Sequence, residues 1–219
     1  MIQINLILTI AFLIMSCQKP TPVEVKEAVK DAAGKEVYIR IFKKENILEL
    51  WTKKEQSQNF ELYKTYEVCT WSGSLGPKLK EGDGQSPEGF YTVGKSQLKP
   101  DSTYHRAFNI GFPNSFDRAN GRTGSFIMVH GGCVSIGCYA MTDKFIEEIY
   151  YLVESALDKG QSKFSVHIFP FRMNAENMSK HKDNKWLSFW QNLKEGYDLF
   201  EQTHTPPEVT VKEKKYFFR

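Results

Sequence analysis

Apolar and polar positions along the chain form short runs that predict β-strands. Residues 60–69 alternate apolar and polar side chains, which is typical of a strand with one buried face. Other short apolar runs, bounded by turn residues, predict strands at residues 37–42, 47–51, 90–93, 126–129 and 164–169. Because the gaps between the early strands are of hairpin length, we expect a β-rich core.

Helical periodicity is confined to a few segments. The clearest begins after Thr142 or Asp143, where apolar residues recur every three or four positions until Gly160 ends the pattern. A short helix is predicted at residues 23–32, and residues 174–202 form a helical region rich in aromatic residues. We expect that region to pack its aromatic side chains on the β-core. The pattern as a whole therefore predicts an α+β fold.

Two long segments rich in turn residues lie between these elements. Residues 73–89 contain repeated Gly and Pro positions and lead straight into a predicted strand, so we expect an ordered loop. Residues 111–124 form a second irregular stretch. Loops of this length inside a compact domain are often functional, and we expect both to border the same site.

The N-terminal segment differs from the rest of the chain. Residues 6–15 are almost all apolar, which is too short to cross a bilayer but suits the apolar part of a secretion signal. The residues Leu13 to Cys17 resemble the bacterial lipobox, although no Lys or Arg precedes the apolar run. We therefore expect residues 1–17 to be a lipoprotein signal peptide with Cys17 lipidated, followed by a tether and short helix over residues 18–35. The alternative is an uncleaved apolar anchor.

Composition narrows the class of protein only modestly. The chain has 219 residues with 41% hydrophobic and 25% charged residues, which fits one globular domain with terminal additions. The net charge of +3 is small and interspersed, so nucleic acid is not an expected partner. Of four cysteines, three remain if Cys17 carries lipid, and an odd number leaves at least one free thiol in a monomer.

The candidate catalytic residues lie in one short segment, residues 130–138, with the sequence His-Gly-Gly-Cys-Val-Ser-Ile-Gly-Cys. His130 follows a predicted strand and Cys138 precedes a predicted helix, so a tight turn could bring a base and a thiol together. The glycines allow such a turn. The positive end of the helix and a nearby imidazole would both lower the pKa of Cys138. The amides of Gly137 and Cys138 could then stabilise an oxyanion.

Other interpretations of the same residues stay open at this point. A His beside two glycines is often only a turn residue, and a buried Cys often acts as a small hydrophobic residue. His130, Cys133 and Cys138 are also possible zinc ligands, but no fourth ligand is near in sequence, so no metal is predicted.

Several motifs resemble the L,D-transpeptidase catalytic domain, or YkuD domain, and in particular its YafK-like branch. They are His130-Gly131 with Ser135-x-Gly137-Cys138, and residues 71–78, 82–91, 108–114, 138–142 and 186–207. The resemblance implies a β-rich catalytic core over residues 36–172, with flanking helices and a C-terminal helical extension over residues 173–219. It also implies a peptidoglycan-modifying enzyme that needs no cofactor.

The resemblance assigns roles to individual residues. Cys138 would attack the carbonyl of the L-centre of the stem-peptide diamino acid and form a thioester, with His130 as the base. Gly137 and Cys138 would supply oxyanion donors, while Ser135 and Gly131 would shape the turn.

The chain departs from the family pattern at Ala140, where many members have Arg. We expect Arg118 or Arg122 to substitute for it and treat Tyr139 as a weaker substrate-binding candidate. Cys69 and Cys133 are expected to be either both free or paired with each other, leaving Cys138 reduced.

The fate of the thioester stays open. It can pass to an amine of another stem, to an amine of a protein, or to water, which would make the protein a carboxypeptidase or a hydrolase that frees wall-linked proteins. A non-catalytic wall-binding lipoprotein is a further alternative. In each case we expect a periplasm-facing envelope protein held by its N-terminal lipid, with the outer membrane preferred because nothing after Cys17 resembles an inner-membrane retention signal.

Overall fold

The computed structural model describes residues 21–219. The predicted signal segment and Cys17 lie outside these residues. Across the part described, no helix combines the length and apolarity that crossing a bilayer would require.

The described chain alternates short strands with a few helices. In chain order the elements are α1 (Pro22–Ala28), β1 (Val37–Phe42), β2 (Ile47–Lys53), β3 (Phe60–Glu67), β4 (Thr70–Trp71), β5 (Gly89–Gly94), a 3₁₀ turn (Lys95–Gln97), β6 (Leu98–Ser102), β7 (His105–Asn109), α2 (Ser115–Ala119), β8 (Met128–His130), β9 (Tyr139–Ala140), α3 (Asp143–Asp158), β10 (Lys163–Phe169), α4 (Ala175–Lys180), α5 (Leu187–Thr203), β11 (Val209–Lys212) and β12 (Lys215–Phe218). This confirms the predicted α+β class.

The first sheet has the strand order β3-β2-β1-β10-β5 and is covered on both faces. Its central strand β1 runs parallel to β10 and antiparallel to β2. Ile39 and Ile41 of β1 face the main core, whereas Tyr38 and Phe42 belong to smaller clusters on the other face. Because both faces are buried, β1 reads as a nearly continuous apolar run rather than an alternating one.

The second sheet, with the order β4-β9-β8-β7-β6, carries the predicted chemical residues. Its strands β8 and β9 are parallel, with Val129 opposite Tyr139 and His130 opposite Ala140. The main core lies between the two sheets and α3, and includes Val129, Tyr139 and Ile149. The segment from His130 to Cys138 is therefore anchored in the core by the residues on either side of it, Val129 and Tyr139.

Helix α3 begins where its sequence pattern indicates. The Thr142 side chain caps it by accepting a hydrogen bond from the amide of Phe145 at 3.2 Å. Its buried positions include Ile146, Ile149, Leu152, Val153 and Ala156, the face predicted from periodicity.

The C-terminal elements cover the outer face of the first sheet. Trp190 and Tyr197 of α5 pack with Phe42 and Phe169. The Arg40 side chain, 1% exposed, lies among these rings, and its Nη1 is 2.6 Å from Glu201 of α5.

Several elements differ from the sequence prediction. The single helical region expected over residues 174–202 is two helices separated by a turn before Leu187. The hairpin of β11 and β12 was not predicted. The strand expected over residues 126–129 starts only at Met128, because Phe126 has a left-handed backbone with φ 53° and its side chain is 71% exposed.

Candidate active site

Strand pairing places His130 and Cys138 at the ends of two adjacent strands. His130 ends β8 opposite Ala140, and Cys138 directly precedes β9, two positions before Ala140. Because side chains of a strand alternate between faces, Cys138 and His130 share one face of the sheet. The amide of Met128 donates a hydrogen bond to the Cys138 Sγ at 3.4 Å, which ties the thiol to β8 two residues before His130.

The imidazole of His130 is held in the tautomer that a base requires. Its Nδ1 is 2.6 Å from the carbonyl oxygen of Gly131, which can only accept, so Nδ1 carries the hydrogen and Nε2 is left as an acceptor. Burial lowers the pKa of His130, partly opposed by the bond to Gly131. The imidazole is therefore neutral at physiological pH.

The thiol of Cys138 is also neutral at rest. Burial raises its pKa, and this outweighs the Met128 amide and the Lys78 ammonium, which lower it. The expectation of an acidified thiol is therefore wrong for the resting protein. Helix α3 begins only at Asp143, after β9, and the Asp143 carboxylate accepts a hydrogen bond from the amide of Gly132 at its start.

The turn between the two residues has the geometry that its glycines suggested. Gly132 and Gly137 have left-handed backbones with φ of 81° and 114°. A Cβ on Gly131 would lie 2.8 Å from the Asp143 Oδ1 and 3.0 Å from the carbonyl oxygen of Tyr104, so a side chain there would displace its neighbours. The hydroxyl of Ser135 donates to the carbonyl oxygen of Cys138 at 2.8 Å and fixes the end of the turn.

Two further serines reach this turn from a distant loop. Ser86, fully buried, donates to the same Cys138 carbonyl at 2.9 Å. Ser72 accepts the amide hydrogen of Gly137, which the sequence analysis assigned to the oxyanion. Gly137 can therefore serve as an oxyanion donor only after Ser72 moves. Sequence reasoning assigned no role to either serine, although both lie in segments that resemble the family, residues 71–78 and 82–91.

A buried ion pair orders that loop. Lys43, with no exposed surface, donates from Nζ to three loop carbonyls and to Glu88 Oε1 at 3.1 Å. The three carbonyls belong to Ser74 at 2.8 Å, Gly76 at 3.1 Å and Ser86 at 2.9 Å. Burial lowers the pKa of Lys43, while Glu88 opposes that shift. Glu88 also accepts from the Trp190 Nε1 at 2.8 Å, so the loop is joined to α5.

The second predicted loop lies against the first. The amide of Thr123 donates to the carbonyl of Leu79 at 3.0 Å, and a Cβ on Gly124 would lie 2.9 Å from the Lys78 side chain. Lys78 is 4% exposed, and its Nζ is 2.5 Å from Asp83. Burial alone would raise the pKa of Asp83, but Lys78 and the nearby backbone amides lower it to about 2. Through Lys78, these loops place a fixed positive charge near the thiol.

The two arginines that we expected to bind substrate are engaged with other residues. Arg122 is 8% exposed, bonded to Asp117 at 2.9 Å and stacked on Phe116 and Phe189. Arg118 donates to the carbonyl of Pro113 and borders a separate cavity of about 700 Å³. Within residues 21–219, neither arginine forms a hydrogen bond or ion pair with Cys138, so their role stays a prediction.

Tyr139 requires a correction. It is fully buried in the core, and its hydroxyl donates to the carbonyl of Pro87 at 2.7 Å. It therefore anchors the loop and cannot contact substrate directly.

The cysteines take one of the two arrangements that were expected. Cys69 and Cys133 form a disulfide, and Cys138 is free. Because the Cys133 thiol is used in this bond, the alternative zinc set of His130, Cys133 and Cys138 loses a ligand.

Comparison with known proteins agrees with this geometry. A family model described as the L,D-transpeptidase catalytic domain, YkuD, matches residues 36–197. The chain is 50% identical over 206 residues, covering 94% of this chain and 82% of the relative, to a protein of Escherichia coli strain K12 named "Putative L,D-transpeptidase YafK". The same values hold for its namesake in Escherichia coli O157:H7.

Solved structures also match over most of the chain. The helical cell shape determining protein Pgp2 from Campylobacter jejuni is 17% identical, covers 88% of this chain and 82% of its own, and has a TM-score of 0.48. Bd1075 of Bdellovibrio bacteriovorus is 15% identical, covers 86% of both chains and has a TM-score of 0.43. On the family match and the 50% identity, the chain belongs to the L,D-transpeptidase catalytic domain family, the YkuD family of cysteine-dependent enzymes that modify peptidoglycan.

Proposed function

We propose that Cys138 is the nucleophile and His130 the general base of a peptidoglycan acyl transfer. Cys138 attacks the carbonyl of the L-centre of the stem-peptide diamino acid, the bond on the far side of that carbonyl breaks, and a thioester forms. One observation carries the proposal. The Cys138 Sγ is held by the amide of Met128, two residues before a His130 whose Nε2 is left as an acceptor.

The proton moves during the attack, because both groups are neutral at rest. As the Sγ bonds to the carbonyl carbon, the thiol proton passes to the His130 Nε2. The imidazolium then gives that proton to the departing amine, so the charge balances over the step. The fixed charge of Lys78 favours the sulfur as it becomes negative.

The oxyanion formed in this step needs donors. The amides of Gly137 and Cys138 are the proposed donors, and the Gly137 amide becomes available when Ser72 is displaced from it. Loss of one such donor typically costs about 10²–10³ in kcat.

Release of a wall-linked protein by hydrolysis is the second candidate. Large apolar side chains are exposed on the segments next to the thiol, namely Phe126 at 71%, Ile136 at 89%, Val134 at 51% and Leu79 at 45%. Exposed apolar groups that cluster in this way mark contact surfaces. A polypeptide attached to the stem offers apolar partners that a short polar stem lacks. In this reaction water takes the place of the acceptor amine.

The site of action is the cell envelope, on the periplasmic side, because peptidoglycan lies there. We further propose that residues 1–17 are a lipoprotein signal and that lipidated Cys17 anchors the enzyme, preferentially at the outer membrane. The apolar run and the lipobox-like residues support the anchor. Several acyl chains would hold the protein stably, since each buried methylene contributes about 0.8 kcal/mol.

Intact-mass measurement tests the proposed chemistry. Wild type incubated with tetrapeptide-stem muropeptides is expected to show a covalent adduct or a released product, and Cys138→Ala neither. A cross-linked product identifies an amine acceptor, and a shortened stem identifies water. The proposal fails if the variant, folded by circular dichroism, turns over like wild type, or if it restores full function in cells, which would favour the wall-binding alternative.

A further inference from the structure

His130 is 2% exposed, and the side chain that covers its ring is Tyr104. The two ring centroids are 4.9 Å apart and the planes are inclined by 31°. The same tyrosine ring packs over the turn, because a Cβ on Gly132 would lie 3.4 Å from its Cδ1. Tyr104 itself is 49% exposed. A half-exposed aromatic ring therefore shields one face of the imidazole.

The backbone of Tyr104 is fixed to the catalytic turn. Tyr104 lies in the short connection between β6 and β7, and its carbonyl accepts the amide hydrogen of Gly131 at 3.0 Å. Its own amide donates to the Ser102 Oγ at 3.2 Å. The position of the tyrosine is thus coupled to the residue that follows His130.

Helix α3 holds the same connection from the other side. His105 has a left-handed backbone with φ 71°, and its Nε2 lies 2.7 Å from the Glu147 Oε1. The Nε of Arg106 donates to the Glu147 Oε2 at 3.0 Å. A left-handed conformation is unfavourable for a residue with a side chain, so it persists where surrounding contacts determine it. The connection between β6 and β7 that carries Tyr104 is therefore held in one conformation by its contacts.

The hydrogen bond from Nδ1 to Gly131 does not by itself fix the imidazole. A single hydrogen bond to a carbonyl oxygen tolerates a range of angles, so the plane of the ring can still tilt about the Cβ–Cγ bond. A ring stacked on the face removes that freedom and also keeps water from the face. A base must be aligned with the proton that it takes, and small misplacements cost catalysis heavily.

We propose that Tyr104 is a positioning residue that sets the plane of the His130 imidazole and keeps it dry. It acts through His130 and not on the substrate. The inference rests on the proposed role of His130 as the base.

Several titratable or charged groups lie around this pair and remain in place in the variants used below. They are His105 and Arg106 of β7, Glu147 of α3, and Asp143, whose Oδ1 accepts the amide hydrogen of Gly132 at 3.0 Å. A change seen on removing the tyrosine ring is therefore attributable to the ring.

The test compares Tyr104→Ala with Tyr104→Phe. The first removes the ring and the second keeps it without the hydroxyl. Phe217→Ala is the matched control, since it removes a ring that is 47% exposed on β12. Tyr104→Ala is expected to lower kcat about tenfold or more with KM changed less than about twofold, whereas Tyr104→Phe and the control retain wild-type values.

The pH profile separates positioning from a general structural role. In Tyr104→Ala the apparent pKa of the acid limb of kcat/KM is expected to rise toward that of an ordinary imidazole, because water reaches the His130 ring. A titration of the His130 ring nitrogens by NMR should show the same rise. Tyr104→Phe should show neither change.

Three results would overturn the inference. One is a Tyr104→Ala enzyme with wild-type kcat and an unmoved acid limb. Another is an equal loss of kcat in Tyr104→Phe, which would assign the role to the hydroxyl. The third is a raised KM with unchanged kcat, which would make Tyr104 a substrate contact. The NMR titration does not need turnover, so it still tests the stacking if the proposed acyl transfer itself fails.

Discussion

Burial shifts the pKa values of the two proposed reacting groups in opposite directions. It raises the pKa of the Cys138 thiol and lowers the pKa of the His130 imidazole, so both shifts favour the uncharged forms. The enzyme therefore begins from a neutral pair and not from a thiolate–imidazolium pair. This also keeps the free thiol unreactive until a substrate carbonyl lies beside it.

The pH dependence of kcat/KM follows from these directions. Protonation of His130 removes the base, so activity falls in acid only below the ordinary imidazole value of 6.5. Loss of the thiol proton leaves His130 with no proton to pass to the departing amine, so the alkaline limb lies above 9.0. We expect a broad plateau between these limits.

Steady-state kinetics across the pH range measure both limbs. Alkylation of Cys138 by iodoacetamide provides an independent check, because only the thiolate reacts. Its half-maximal rate is expected above pH 9.0. An alkylation midpoint below neutral pH would show that the pair is ionised at rest, contrary to this account.

The sequence locates the proposed reacting pair but not its surroundings. His130 and Cys138 lie within one short, glycine-rich segment, so local pattern is enough to find them. Ser72 and Ser86 reach the turn from more than fifty residues away, and no local pattern marks which serine of a loop will face inward. The direction of the thiol pKa was missed for the same reason, because burial is set by the whole fold.

At the scale of elements, the loop of residues 72–88 depends on one buried cation. Lys43 is the partner of Glu88 and of three loop carbonyls. Replacing it by Met keeps the volume and the aliphatic stem but leaves the buried Glu88 carboxylate without its cation, while Gln85 Nε2 still donates to the three carbonyls. Breaking a buried pair in this way typically costs about 3–5 kcal/mol.

We therefore expect Lys43→Met to lower the free energy of unfolding by about 3–5 kcal/mol and to depress kcat as the loop loosens around Cys138. Lys44→Met is the matched control, because Lys44 is adjacent and exposed. Urea denaturation followed by tryptophan fluorescence measures the change. Equal stability of the two variants would mean that the ion pair does not organise the loop.

The elements that sequence missed lack local signals. β6 has the sequence Leu-Lys-Pro-Asp-Ser, without the apolar alternation that marks a strand. The hairpin of β11 and β12 turns at Glu213 and Lys214, both with positive φ, where Asn and Gly are the usual residues. Strands β1, β5 and β10 were predicted because buried β-branched and aromatic runs are distinctive in any context.

At the scale of the whole molecule, the C-terminal helix supports the active site. Trp190 of α5 donates to Glu88, Glu88 pairs with Lys43, and Lys43 holds the loop that places Ser86 on the Cys138 carbonyl. The family match accordingly continues to residue 197, beyond the catalytic segment predicted to end at residue 172. The site thus depends on both faces of the first sheet.

The disulfide ties the same turn to the rest of the fold. Cys69 follows β3, and Cys133 lies between His130 and Cys138, with a sequence separation of 64. Closing a loop of this size typically stabilises a protein by about 2–5 kcal/mol. We expect the double variant Cys69→Ala/Cys133→Ala to lose stability in that range but to keep Cys138-dependent activity at moderate temperature, because Ser135 and Ser86 still hold the turn.

The single variant Cys69→Ala should behave differently. It leaves the Cys133 thiol five positions from Cys138, where the two can oxidise to a disulfide that removes the nucleophile. We expect it to be inactive after air oxidation and to recover with dithiothreitol, while the double variant needs no reductant. Peptide mapping identifies the bond. An oxidised Cys69→Ala enzyme with full activity would contradict this account, and an unchanged denaturation midpoint in the double variant would show that the native bond serves a purpose other than stability.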